Sequence, residues 1–161
     1  MQNGKTPFLL LTSLITLAIS VGGGQFAKAD EKHPTKDEVV AFVNEGLEYA
    51  KKNGREAFFK ELMNDNGIFK RGELYFYAYD FEGLNLAHGA KPHLVGKNLI
   101  ELTDKKGLPL IQALRDAAAA GGGWVEYYWE NPETKVVQKK LGYVIKLDDG
   151  CWFGSGTYVD E

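Results

Sequence analysis

Between Leu74 and Tyr158 the segments follow one another in an order that few folds can accommodate. Leu74-Tyr-Phe-Tyr-Ala-Tyr-Asp80 alternates as a strand, with three tyrosines on one side and Phe76 and Ala78 on the other. It turns at Phe81-Glu-Gly83 and returns through Leu84-Asn-Leu-Ala-His88. Both faces of the first strand are apolar or aromatic, so it is expected to be covered on both sides and central in its sheet. Residues 90–103 read as a pinned loop. A helix is predicted from about Gly107 to Ala120, with Pro109 in its first turn, Asp104 as its cap and Gly121 to Gly123 at its end. Three strands close the chain, near 123–130, 136–147 and 151–159. Asn131-Pro132 and Asp149-Gly150 supply the tight connections between them. Short loops make the hairpin and the three-strand meander antiparallel within themselves. How the two blocks join is not set by these patterns.

A long helix precedes the hairpin. Thr35-Lys-Asp-Glu38 is a capping box, in which the Thr hydroxyl takes one orphan amide and Glu38 reaches back to another. Val39, Val43, Gly46, Leu47 and Ala50 then recur at helical spacing. Asn53-Gly54 either breaks this helix or bends it, Phe58, Phe59, Leu62 and Met63 continue an apolar face, and Asn64-Asp-Asn-Gly67 ends it with turn chemistry.

The first 29 residues have the layout of a secretory signal peptide. Lys5 gives a positive start, Phe8 to Val21 is mostly apolar, and Ala27-Lys-Ala29 places small residues before a cut at Asp30. An uncleaved anchor is the alternative, although the apolar run is shorter than the roughly 20 residues of a membrane span. Residues 30–161 remain as one domain, large enough to bury a core without staples. Losing Lys5 and Lys28 takes the formal charge from -3 to -5. That mildly acidic balance does not suit nucleic acid, which calls for a concentrated basic face. Cys151 is the only cysteine, so it is either a small buried apolar residue or half of an intermolecular pair.

The ordered set formed by the hairpin, Pro92-His-Leu-Val-Gly-Lys-Asn98, Asp104-Lys-Lys-Gly107, Gly121-Gly-Gly-Trp-Val-Glu-Tyr-Tyr-Trp129, Lys139-Lys-Leu-Gly-Tyr143 and Trp152-Phe-Gly-Ser-Gly-Thr-Tyr158 closely resembles the single Cache domain. This is an extracytoplasmic relative of the PAS fold that senses small molecules, and the resemblance covers nearly all of residues 30–161. It implies an α+β fold with a long N-terminal helix, a five-stranded antiparallel sheet and a second helix. It also implies binding of a small organic acid such as acetate, propionate or pyruvate. Most relatives sit in membrane receptors, whereas the expectation for this chain is a periplasmic, stand-alone module.

Holding a small carboxylate requires donors for nearly all its lone pairs and an apolar wall for its tail. Lys140 is the candidate cation. The resemblance aligns it with the lysine of a Pro-Lys-Leu-Ser-Tyr motif, here flanked by Lys139 and Gly142, and Gly142 on the same face leaves room for a guest. The competing role is a solvent-facing lysine. His88 stands where the family places His-Pro, here followed by Gly89, and either contacts a ligand or fixes its loop. Tyr77 and Tyr79 on one strand, and Tyr127 and Trp129 on another, supply walls and hydroxyls unless they are ordinary core. Gly96 and Asn98 resemble the loop that closes over the pocket, or only shape a turn. His93 reads as surface.

Other chemistries find little support. His33, His88 and His93 lack partner ligands for zinc, and no haem-attachment motif occurs. Gly121 to Gly123 leads into a strand, without the helix start that cradles phosphate. Ser155 is not in a strand-to-helix nucleophile elbow. The expectation is therefore a binding module with no cofactor, no metal and no catalytic residues. Its expected partners are the carboxylate and a separate membrane-bound sensor kinase, chemoreceptor or transporter, with a homodimer through the N-terminal helix as one option. The rival from another class is an interaction subunit whose pocket is filled by its own side chains.

Overall fold

A computed structural model describes Met1 and residues 33–160, so the expected signal peptide and its cut before Asp30 lie outside the described residues. Helix α1 spans Lys36–Asn53. Its capping box is formed: Thr35 Oγ1 accepts from the Glu38 amide at 3.2 Å, and Glu38 accepts from the Thr35 amide at 2.7 Å. Val39, Phe42, Val43, Gly46 and Ala50 make its buried face. Gly54, at φ +88°, breaks the helix rather than bending it, because that backbone conformation cannot continue a right-handed turn. Helix α2, Arg55–Leu62, follows at once and buries Phe58 and Leu62.

The tyrosine-rich segment is divided. Strands β1 (Lys70–Arg71) and β2 (Leu74–Tyr75) form a small ribbon, while β3 (Tyr77–Asp80) and β4 (Asn85–His88) belong to the main sheet. A 3-10 turn at Pro92–Leu94 and helix α3 (Leu110–Ala119) precede β5 (Gly123–Glu130), β6 (Val137–Asp148) and β7 (Cys151–Val159). The sheet order is β4-β3-β7-β6-β5, antiparallel throughout. The fold is α+β, with the last strand in the centre. β7 joins hairpin to meander by pairing with β3, Tyr77 opposite Gly154 and Tyr79 opposite Trp152. β3 is thus an inner strand beside the centre, and β7 takes the central place expected for it.

Each face of the sheet has its own core. Helices α1 and α2 cover Phe76, Ala78 and Phe153, and Phe42 stacks on Phe76 with ring centroids 4.2 Å apart. Helix α3 covers the other face, where Leu110, Ile111, Leu114 and Ala118 meet Tyr75, Tyr77, Tyr79, Tyr127, Val144 and Trp152. Helix α3 is shorter than expected, and Asp104 does not cap it. Its carboxylate instead accepts the Lys106 and Leu108 amides at 2.8 and 3.0 Å, closing a turn, and the Tyr128 amide of edge strand β5 at 2.9 Å.

Candidate ligand-binding site

The sheet face under α3 carries a polar cluster set out by strand register. Tyr127 on β5, Lys140 on β6 and Tyr158 on β7 lie directly across from one another. On β6 and β7 the same face continues through Gly142 and Gly156, which are also paired. Their missing side chains shape the cluster. A Cβ on Gly156 would stand 2.9 Å from Lys140 Cε, so the lysine stem lies across bare backbone. A Cβ on Gly142 would stand 2.7 Å from the Tyr127 ring and 2.8 Å from Tyr77 Oη. The room that Gly142 leaves is therefore taken by tyrosines of the site itself, correcting the expectation that it is open to a guest.

Strand β4 contributes through a bulge. Register shifts between Ala78 and Tyr79, so His88 pairs with Tyr77 and Asn85 with Tyr79 despite the odd spacing between positions 85 and 88. Both residues consequently face the tyrosine side. Tyr75, Tyr77, Tyr79, His88, Leu110, Ile111, Leu114, Tyr127 and Trp129 line a narrow cavity of about 10 Å3, the room of a single water molecule.

Lys140 is fully buried behind this lining. Its Nζ donates to Tyr158 Oη at 3.4 Å and lies 3.9 Å from the centre of the Tyr75 ring. No carboxylate among the described residues pairs with it. Burial drives its pKa well below the ordinary lysine value, and the charge of Glu73 opposes that shift. Tyr158 donates to Glu130 O at 2.8 Å and stands 3.3 Å from Tyr75 Oη, while Tyr127 donates to Tyr77 Oη at 3.3 Å. Burial raises all these phenols, Tyr79 to about 12, so they stay protonated as donors.

His88 is held as a neutral donor. Its Nδ1 accepts the amides of Ala90 and Lys91 at 3.3 and 3.0 Å, which places the ring proton on Nε2. Burial above all, helped by Lys91, lowers its pKa to about 3. Lys91 also pairs with Glu130 at 2.6 Å and lies over Trp129, fastening the loop after β4 to the end of β5. The site can thus offer one buried amine, several hydroxyl donors, an imidazole N–H and an apolar wall from α3. That set suits a small anion with an apolar tail.

Among the residues expected from sequence, Tyr77, Tyr79, His88, Tyr127 and Trp129 line the cavity, and Lys140 stands directly behind it. Gly96 and Asn98 do not line it. Asn98 donates to Glu82 O at 2.9 Å and accepts the Ile100 amide at 3.0 Å, and the Gly96 amide donates to Asn85 O at 2.9 Å. They pin the long loop against the hairpin. His93 is exposed, and no set of three or more His, Cys, Asp or Glu among the described residues could hold a metal. Cys151 is fully buried, its thiol raised to about 11 by burial and by Asp148. A larger groove of about 540 Å3 runs beside His33, Phe42, Glu45 and Arg71, but its charges are already matched, Glu45 with Arg71 at 2.7 Å and His33 with Glu73 at 2.8 Å.

Comparison with known sequences matches residues 29–161 to the family described as single Cache domain 2. The chain belongs to this family. Sensor histidine kinase MctS of Rhizobium johnstonii is 30% identical over 158 residues, which is 98% of this chain and 30% of the kinase, so the chain spans under a third of that relative. Among solved structures, a methyl-accepting chemotaxis protein from Vibrio parahaemolyticus superposes with a TM-score of 0.70 at 32% identity, covering 78% of this chain and 88% of that one. A Cache chemosensory domain solved to explain carboxylic acid recognition gives 0.57 at 28% identity, covering 74% and 85%.

This Cache domain has site residues that sequence reasoning passed over. Tyr75 continues the Tyr77–Tyr79 alternation and was legible on that ground. Leu110, Ile111 and Leu114 form the apolar stripe of α3, which announces a buried face without saying what it covers. Tyr158 and Glu73 gave no local signal, because their importance arises from cross-strand neighbours.

Proposed function

We propose that this Cache domain senses a small monocarboxylate in the periplasm, with Lys140 as the cation and Tyr75, Tyr77, Tyr127 and the His88 Nε2–H as neutral donors. One observation carries the reading: a fully buried lysine that no carboxylate among the described residues pairs with, set beside a cavity of hydroxyls and apolar walls. A buried cation is retained where a partner of opposite charge completes it. The likeness to a Cache domain that recognises carboxylic acids supports the same class of ligand. Acetate, propionate and pyruvate have four to six heavy atoms, which caps affinity near roughly -6 to -9 kcal/mol, or micromolar and weaker. The secretory layout of residues 1–29 supports export. We assign no catalytic step, and the output would pass to a membrane-bound sensor kinase, chemoreceptor or transporter.

A thermal-shift screen of the purified protein against short monocarboxylates, sugars, amines and amino acids tests this. At a hundredfold excess over Kd, a ligand specific to the folded state adds about 2.7 kcal/mol, a shift of several degrees. Selective stabilisation by a short acid supports the reading, and a flat response across the acids sinks it. The narrowness of the cavity favours one alternative, an interaction subunit with a self-filled pocket. That flat response, together with capture of a membrane sensor, would support it.

A further inference from the structure

An ammonium has three N–H donors and no acceptor. Among the described residues Lys140 Nζ meets one acceptor, Tyr158 Oη, whose own proton is committed to Glu130 O. The residues that line the cavity or pair with Lys140 are neutral: Tyr75 from β2, Tyr77 from β3, His88 from β4, Tyr127 from β5, Tyr158 from β7, and Leu110, Ile111 and Leu114 from α3. The rings of Tyr75, Tyr158 and Tyr77 stand 3.9, 4.7 and 5.9 Å from Nζ. Their faces attract a cation but do not replace the missing acceptors. Glu73, the carboxylate whose charge acts on Lys140, forms no ion pair with it and is already held by His33 at 2.8 Å and Asn131 at 2.5 Å. A buried amine so placed sheds its proton more readily than it carries an unmatched charge.

We propose that the carboxylate enters this site together with one proton, so that Lys140 is a neutral amine beforehand and the ammonium–carboxylate pair forms only on binding. The inference rests on the carboxylate reading above and adds the stoichiometry of the ligand. If the undissociated acid arrives, its O–H bond breaks, an N–H bond forms on Nζ, and the carboxylate keeps the electron pair. If the anion arrives, solvent supplies the proton to the Nζ lone pair. Either route removes one acid equivalent from bulk, and the two ligand oxygens then accept the N–H donors that the protein leaves unmatched. Such a domain reports the product of acid concentration and acidity, which is the abundance of the undissociated acid.

Titration calorimetry of the protein with acetate, propionate and pyruvate, each in phosphate and in Tris, reads the protons exchanged from the difference in heat between the two buffers. The expected result is net proton uptake, approaching one per acid bound, with affinity falling as pH rises. Burial lowers the His33 pKa, but Glu73 and Asp160 outweigh it and raise it above 6.5, and the ring lies outside the cavity. H33Q is therefore expected to keep both the uptake and the slope. Binding with no proton exchange and a flat pH profile would show that Lys140 is charged beforehand and overturn the inference, leaving the carboxylate reading intact. Failure of every acid to bind is a separate readout that removes both.

Discussion

Lys140 remains folded away from water because its stem crosses the bare backbone of Gly156 and its amine reaches a hydroxyl, yet no carboxylate among the described residues pairs with it. Lys140→Met keeps the length and apolar packing of the stem and removes the buried amine. The variant is expected to be more stable by about 1 kcal/mol or more while losing acid binding, a pairing that chemical denaturation and a binding assay detect together. The sign of the pH effect follows from the depressed folded pKa. The folded domain holds fewer protons than the unfolded chain, so stability rises with pH from the folded value towards 10.5, and Lys140→Met lacks that rise. Gly142 makes the complementary case. A methyl there meets the Tyr127 ring and Tyr77 Oη, so Gly142→Ala should cost about 1–3 kcal/mol and weaken binding, which urea melts and calorimetry would register. An unchanged midpoint would mean that the two tyrosines shift freely and that the glycine floor is not what sets the cluster.

At the level of elements, the same loop that carries Gly96 and Asn98 is anchored by Asp104, whose carboxylate accepts three backbone amides, one of them from β5. Asp104→Ala leaves those amides without their acceptor and should lower stability by about 1–2 kcal/mol, measured by denaturant midpoint. Burial raises the Asp104 pKa, but the amides outweigh it and hold it below 3.8. A depressed folded value means that the contribution is complete above the ordinary carboxylate range and is lost as pH falls through the folded value. Asp104→Ala should therefore lose less stability than the wild type on acidification. The sequence made Asp104 look like a helix cap because a short polar residue precedes a helical pattern. The structure spends residues 104–108 on a turn, since bonding to an exposed edge amide of β5 requires the carboxylate to face the sheet. By contrast, the Thr35–Glu38 box, an interruption at Asn53-Gly54 (a break or a bend) and the approximate bounds of β5, β6 and β7 were legible, being fixed by local chemistry and period-two alternation.

Across the described residues, the domain closes through contacts that no local pattern encodes. The pairing of β3 with β7 puts the last strand in the centre, and only then do Tyr75, Tyr77 and Lys140 share one covered face. Alternation placed Lys140 with Gly142, but whether that face meets solvent or α3 is a tertiary fact. His33 links distant parts of the chain in the same way, with Nδ1 at 2.8 Å from Glu73 and Nε2 at 3.3 Å from Asp160. Both contacts are hydrogen bonds only when the ring is an imidazolium. Burial lowers its pKa, but the two carboxylates outweigh it and raise it above 6.5. With a raised folded value, the stabilisation is present below 6.5 and is lost as pH rises through the folded value. Wild type should thus lose more stability than His33→Gln on passing from mildly acidic to mildly alkaline buffer, as read by thermal melts. Equal losses would remove His33 from the account. The measurement that bears most directly on the whole account is titration calorimetry of acetate, propionate and pyruvate into the wild type and into Lys140→Met at one pH. The account predicts micromolar or weaker binding of a short acid to the wild type and none to a variant that remains folded. Equal binding to both, or no binding to the wild type, would contradict it.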